Sequence, residues 1–301
     1  MTMSTSEYTG PLTPEVLRVG EQVLNVVVDH AVFRRIREAS MEMVHIMRSL
    51  KLPHGILVQA DSGMGKSLLI ELIRRELAPQ ALPNGANACL HMALDSTVDA
   101  NGIAAAMTRA LGYPALPARR QLESMNHMTQ AALERTRPLA LLIDEMQHVC
   151  EGNKDITARS VTDWLKVRMD RHNFPVICLG THALERLAVI NPQFTGRASA
   201  SFVIQPFKFD ESWRQVVAGF SSAVNSVDLS IANGAACRPL HQASVGNMRM
   251  LKRILTYACM YASTQPNRVV DMASLSSAFI DAKGQVAEQM NPFRSGRREA
   301  T

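Results

Sequence analysis

The chain has 301 residues, 47% of them hydrophobic and 20% charged, enough to bury a core in one large or two modest domains. No apolar run approaches the roughly 20 residues that span a bilayer, and Met1-Thr2-Met3-Ser4-Thr5-Ser6-Glu7 lacks the basic-then-apolar layout of a secretion signal, so a cytoplasmic location with no membrane partner is expected. The five cysteines (Cys89, Cys150, Cys178, Cys237, Cys259) are scattered without C-x-x-C spacing, which argues against a disulfide framework or a structural zinc.

Residues 1–31 carry no assigned element and read as an N-terminal extension. From about Val32 to Leu50, Phe33, Ile36, Met43, Val44, Met47 and Leu50 recur at helical spacing and predict an amphipathic helix. The stretch Ile56-Leu57-Val58-Gln59-Ala60 reads as a buried strand. Asp61-Ser62-Gly63-Met64-Gly65-Lys66-Ser67 follows as a glycine-containing loop, opening the apolar helix Leu68-Leu69-Ile70-Glu71-Leu72-Ile73. Strand, loop, Gly-Lys-Ser and helix in that order are what a phosphate-binding loop requires, because loop amides and a helix N-terminus present distributed positive charge to a polyphosphate. Asp61, Ser62, Gly63, Met64, Gly65, Lys66, Ser67 and Leu68 are therefore the candidate nucleotide-binding residues. Lys66 would reach the β- and γ-phosphates, and Ser67 would offer its hydroxyl to Mg²⁺. The first position of the usual pattern is glycine, whereas this chain has Ala60, tolerable where the backbone keeps φ below zero. The bland alternative is a glycine loop that binds no nucleotide.

Further strands are predicted at Ala88–Leu94, Leu139–Ile143, Val176–Leu179 and Ser201–Ile204, with helices between them, including Ile103–Leu111 and Gln121–Arg135. Alternation of this kind implies an α/β fold with a five-stranded parallel sheet flanked by helices. Ile143-Asp144-Glu145 closes the third strand, at the edge where open α/β sheets bind ligands. Asp144 is the candidate second metal ligand, and Glu145 the candidate base that orients and deprotonates the attacking water. An Asp-Glu pair that merely opens a turn is the alternative. After Phe209 the strand signal ends, and Ser212–Val224, Asn247–Ala262 and Met272–Ala282 read as helices. The expected organisation is an extension at 1–31, a nucleotide-binding α/β domain at 32–207, a small all-helical lid at 208–285 and a basic flexible tail at 286–301.

The order of motifs resembles that of the AAA+ class of P-loop ATPases: Gly63-Met64-Gly65-Lys66-Ser67, Leu142-Ile143-Asp144-Glu145, Leu179-Gly180-Thr181, Arg197, then Gly246-Asn247-Met248-Arg249. Within the class the chain is similar to the TniB/TnsC-type transposition ATPases, and more distantly to MuB and IstB, through the basic helix before the first strand, Gly180-Thr181 closing the fourth, Asn191-Pro192-Gln193 before Arg197, and the Gly246–Arg249 run. The resemblance spans about Val32 to Gln285. It implies ATP and Mg²⁺ as cofactors, Thr181 as a polar sensor of the γ-phosphate or attacking water, and Arg197 as an arginine finger supplied to a neighbouring subunit. It also implies Arg249 as a second sensor on the lid. His182, beside Thr181, is expected to cap the next helix or to pack.

The same resemblance implies a homo-oligomer, either ring or helical filament, that assembles with ATP on duplex DNA and recruits or stimulates a transposase, in a bacterial cytoplasm and on the nucleoid when bound. The net charge of +5 and pI near 9.1 suit such a partner, and equally a solvated positive face. Thr97, Arg119 and Arg120 are the candidate DNA-facing residues, with a solvated helix start as the alternative for both arginines. Two other functions stay open: a nucleotide-switched scaffold or signalling ATPase that never touches DNA, and a replication or helicase-loading ATPase. The latter usually adds a DNA-binding domain such as a winged helix, for which few residues follow the lid.

Overall fold

A computed structural model describes residues 8–52, 54–80, 88–95, 98–114, 122–151 and 155–294. The chain divides into two compact units, one of residues 32–205 and one combining residues 1–31 with 206–301.

The first unit is built on five parallel strands, β1 (Gly55–Ala60), β2 (Cys89–Ala93), β3 (Ala140–Asp144), β4 (Val176–Gly180) and β5 (Ala198–Ile204), in the spatial order β2-β3-β4-β1-β5. All five residues of β3 and of β4 are buried, which is why both read as unbroken apolar runs. The edge strand β5 instead alternates half-buried with exposed residues, as one-sided coverage demands. In chain order the helices of both units are α1 (Pro14–Leu24), α2 (Ala31–Leu50), α3 (Lys66–Leu77), α4 (Ala100–Ala110), α5 (Leu122–Thr136), α6 (Asp155–His172), two single turns α7 (Leu187–Ile190) and α8 (Pro192–Thr195), α9 (Glu211–Ala223), α10 (Cys237–Ser244), α11 (Met248–Ser263) and α12 (Met272–Lys283). One face of the sheet, carrying Leu90, Met92, Leu141, Ile143, Val176 and Cys178, forms a core with Ile103 and Met107 of α4, Leu133 of α5, and Val161 and Leu165 of α6.

The second unit is all-helical. Its core gathers Val19 and Val23 of α1, Trp213, Val216 and Phe220 of α9, Leu251 and Leu255 of α11, Leu275 and Phe279 of α12, and Phe293. The indole N–H of the buried Trp213 donates to the Cys237 carbonyl at 3.1 Å, so the ring is buried without leaving its donor unpaired. The α1 segment, which carries no element in the sequence reading, begins at an N-cap, Thr13, whose hydroxyl accepts from Val16 N. It buries Val16, Val19, Gly20 and Val23, one stripe of an amphipathic helix.

The corner between α10 and α11 accounts structurally for Gly246-Asn247. Val245 and Gly246 both have positive φ, 52° and 70°. A Cβ on Gly246 would fall 2.1 Å from the Phe207 carbonyl oxygen, so only glycine fits. Phe207 N donates back to Gly246 O at 3.0 Å, and the Asn247 side chain caps α11 by accepting from Met250 N at 3.2 Å. Among the described residues, no helix is long and apolar enough to cross a membrane.

Candidate nucleotide-binding site

The loop from β1 to α3 has the backbone that its sequence predicts. Gly63 and Gly65 lie in the left-handed region at φ 83° and 92°, which a side chain would strain. A Cβ on Gly65 would also meet the ring of Phe33 at 2.8 Å, so α2 supports the loop from below through a buried aromatic. Ala60, which stands where a first glycine is usual, is the last residue of β1 and pairs with Ile204, an extended conformation open to any residue. The helix α3 starts at Gly65 without a side-chain cap. Its first amides have no intrahelical acceptor and end the helix as an anion-binding surface. Lys66 Nζ donates to the Ala60 carbonyl at 2.9 Å, so the ammonium is held over the loop. Ser67, in the first turn, is exposed.

The strand order sets what faces this loop. β4 lies between β1 and β3, so Thr181, just past the end of β4, stands between the phosphate loop and the Asp144-Glu145 pair. Asp144 is the buried last residue of β3, and its Oδ1 accepts from Glu145 N at 2.8 Å. Burial raises its carboxyl above the ordinary carboxylate range, with the charge of Glu145 adding to the rise. The Glu145 amide and the charges of Lys66 and His91 pull the other way. Glu145 follows at φ 55°, ψ 32°, a left-handed conformation uncommon for a residue with a Cβ. Its Oε2 accepts from Nε2 of Gln147. Gln147 Oε1 in turn accepts from Thr181 N at 3.3 Å, so one buried amide joins the tips of β3 and β4. Thr181 also caps the turn after β4, its hydroxyl accepting from Ala183 N at 3.4 Å. His182 does not supply that cap: its Nε2 pairs with Asp61 Oδ1 of the loop at 3.3 Å.

A family model for the bacterial TniB protein matches residues 22–208, more than half of the chain. The chain belongs to the TniB family. Its fold is that of AAA+ P-loop ATPases, a parallel sheet flanked by helices followed by a helical region, and it is shared with solved structures at low identity. They include the Aeropyrum pernix ORC1 protein in complex with DNA (16% identity, TM-score 0.64, covering 86% of this chain and 68% of that one). The A. pernix ORC2 protein in ADPNP-ADP complexes gives 14%, 0.63, 87% and 71%, and Drosophila ORC bound to DNA gives 15%, 0.62, 96% and 73%. No curated protein matches the sequence closely enough to count as a relative.

In this TniB-family chain the remaining predicted residues fall in three places. Arg197 immediately precedes β5, and its carbonyl accepts from Gly55 N at 2.8 Å, at the start of β1. In a parallel sheet this is the edge opposite to the phosphate loop. Its guanidinium is held in a two-pronged pair with Asp170, Nε to Oδ1 at 3.1 Å and Nη2 to Oδ2 at 2.8 Å, and Nη1 donates to Gln193 O at 3.1 Å. Asn191, two turns earlier, is buried and donates to Thr162 Oγ1 and Asp163 Oδ1 at 2.8 and 3.0 Å, so the Asn-Pro-Gln run fixes α8 onto α6. Arg249 is an exposed residue in the first turn of α11, in the helical unit. Thr97, Arg119 and Arg120 lie outside the described residues.

Gln147 is the site residue that sequence reasoning missed. It sits two residues after Glu145 and is legible only once β4 is known to lie beside β3. Among the described residues, no cluster of three or more His, Cys, Asp or Glu side chains is arranged to hold a metal ion. Ser67 and Asp144 carry oxygen donors of the kind that Mg²⁺ takes, which completes its shell with phosphate and water.

Proposed function

We propose that the chain is an ATP-dependent DNA-binding ATPase that assembles on duplex target DNA and recruits or stimulates a transposase. The observation that carries the reading is the loop at the C-terminal edge of β1, with two left-handed glycines, an uncapped α3 and Lys66, set in the same sheet as the buried Asp144 and the strained Glu145. Membership of the TniB family supports the transposition role. Fold relatives carrying ADPNP and ADP, or bound to DNA, support the nucleotide and DNA as ligands.

Hydrolysis of this kind asks the protein mainly for positioning and charge. The amides of Gly63 to Leu68 and the Lys66 ammonium bind the β- and γ-phosphates. Mg²⁺, held by Ser67 and Asp144, supplies charge neutralisation on those phosphates when bound. Glu145 takes the proton of the attacking water, and Thr181 contacts the γ-phosphate side of that water. Arg197 leaves Asp170 for a neighbouring subunit's nucleotide, where a cation stabilises the charge of the transferring phosphoryl group. Arg249 serves as the sensor on the helical lid. Contact with DNA is mostly with phosphates, hence sequence-tolerant and salt-sensitive.

Two variants test the hydrolytic half of this reading. Lys66→Ala should lose nucleotide binding in equilibrium titration. Glu145→Gln should bind ATP with near-normal affinity while turnover falls roughly a hundredfold or more, the usual weight of a general base. Unchanged affinity in the first, or normal turnover in the second, would contradict the assignment. A scaffold that never touches DNA would share both results and is separated from the proposal by DNA binding.

A further inference from the structure

Gln147 lies in the short turn Met146–Val149 that follows β3, and it is 4% exposed. Both ends of its amide are engaged. Nε2 donates to Glu145 Oε2, and Oε1 accepts the Thr181 N–H at 3.3 Å. The two partners dictate which end points where, because a carboxylate only accepts and a backbone N–H only donates. Room for the amide exists because β4 ends in Gly180: a Cβ there would fall 2.8 Å from Gln147 Oε1 and 3.0 Å from Gln147 N. The Thr181 hydroxyl accepts from Ala183 N, while the backbone N–H of Thr181 is the group that reaches Glu145 through Gln147.

The geometry points to Gln147 as a positioning residue for hydrolysis, one that orients the Glu145 carboxylate and makes it move with the tip of β4. The inference rests on the reading of Glu145 as the base. Glu145 stands on a left-handed backbone, and among the described residues its carboxylate takes one hydrogen bond from a neighbour, that of Gln147. Any displacement of Thr181 by the state of the nucleotide is passed to that carboxylate by a bridge of one side chain, so Gln147 gives the β4 sensor its route to the base. Gly180 belongs to the same device as the residue that leaves space for the bridge.

The test compares nucleotide affinity and turnover of the full chain as wild type, Gln147→Ala, Glu145→Gln and the double variant. Gln147→Ala should keep its affinity for a non-hydrolysable ATP analogue within about twofold while kcat falls roughly tenfold or more, a loss confined to the transition state. In the Glu145→Gln background the same substitution should cost nothing further, because both changes remove one working unit. A residue that only supports the fold would lower both backgrounds by the same factor. Gly180→Ala, whose new methyl must displace the amide, should reproduce the defect, and with Gln147→Glu it carries the comparison if Gln147→Ala folds poorly. Full turnover in these variants, equal losses in both backgrounds, or a rise in turnover would overturn the inference alone. Absence of turnover in the wild type would overturn the parent reading and this one with it.

Discussion

At the scale of single residues, the site places a carboxylate where the fold disfavours its charge. Asp144 is buried, and its carboxyl sits above the ordinary range chiefly because of that burial. A carboxyl whose pKa is raised on folding contributes stability below the unfolded pKa and loses it as pH rises through the folded one. At neutral pH the ionised Asp144 therefore costs stability. Asp144→Asn, which keeps the acceptor for Glu145 N, should melt higher than the wild type without nucleotide, and the difference should shrink on acidification, while Mg²⁺-dependent turnover is lost. A lower melting temperature at neutral pH would mean the carboxylate is stabilising where it stands. The placement of Lys66 and Ser67 at a loop before a helix, and of Asp144 and Glu145 after an apolar strand, was legible in the sequence because those signals are local. Gln147 was not, because its meaning depends on the register that sets β4 beside β3. His182, expected to cap the next helix or to pack, does neither for a similar reason: Thr181 supplies the cap, and Asp61, the partner of the exposed His182, comes from a loop 121 positions away in the chain.

At the scale of elements, tertiary packing decides what periodicity alone left open. The helix α1 carries its own signals, Thr13 as cap, Pro14 at the first turn and a stripe of valines. Its partner, α11, is more than two hundred residues away, so the sequence reads as an unassigned extension. The helix α10 escaped because it has only eight residues and contains Pro239 in its first turn, a place where proline is tolerated although it reads as a breaker. Gly246, read as part of a lid motif, turns out to serve the α10–α11 corner. Gly246→Ala should destabilise the helical unit by about 2 kcal/mol or more, since it adds a methyl against Phe207 O and a side chain at φ 70°. The readout is a fall of several degrees in Tm. An unchanged Tm would mean the corner relaxes freely.

At the scale of the whole molecule, the all-parallel sheet was legible from strand–helix alternation, whereas the composition of the helical unit from both ends of the chain was not, since contacts between distant segments leave no local trace. The position of Arg197 bears on assembly. It lies at the sheet edge opposite to its own phosphate loop and is occupied by Asp170, so a role in hydrolysis requires another subunit. Arg197→Ala and Lys66→Ala should each be inactive alone, yet their mixture should recover turnover, because the second supplies the arginine that the first lacks. A mixture as inactive as its components would argue against a shared site. The most direct measurement is binding to duplex DNA at moderate salt with no nucleotide, with ADP and with a non-hydrolysable ATP analogue. An ATP-assembled DNA-binding ATPase predicts cooperative binding that appears with the analogue alone; binding indifferent to nucleotide, or none in any state, would contradict it.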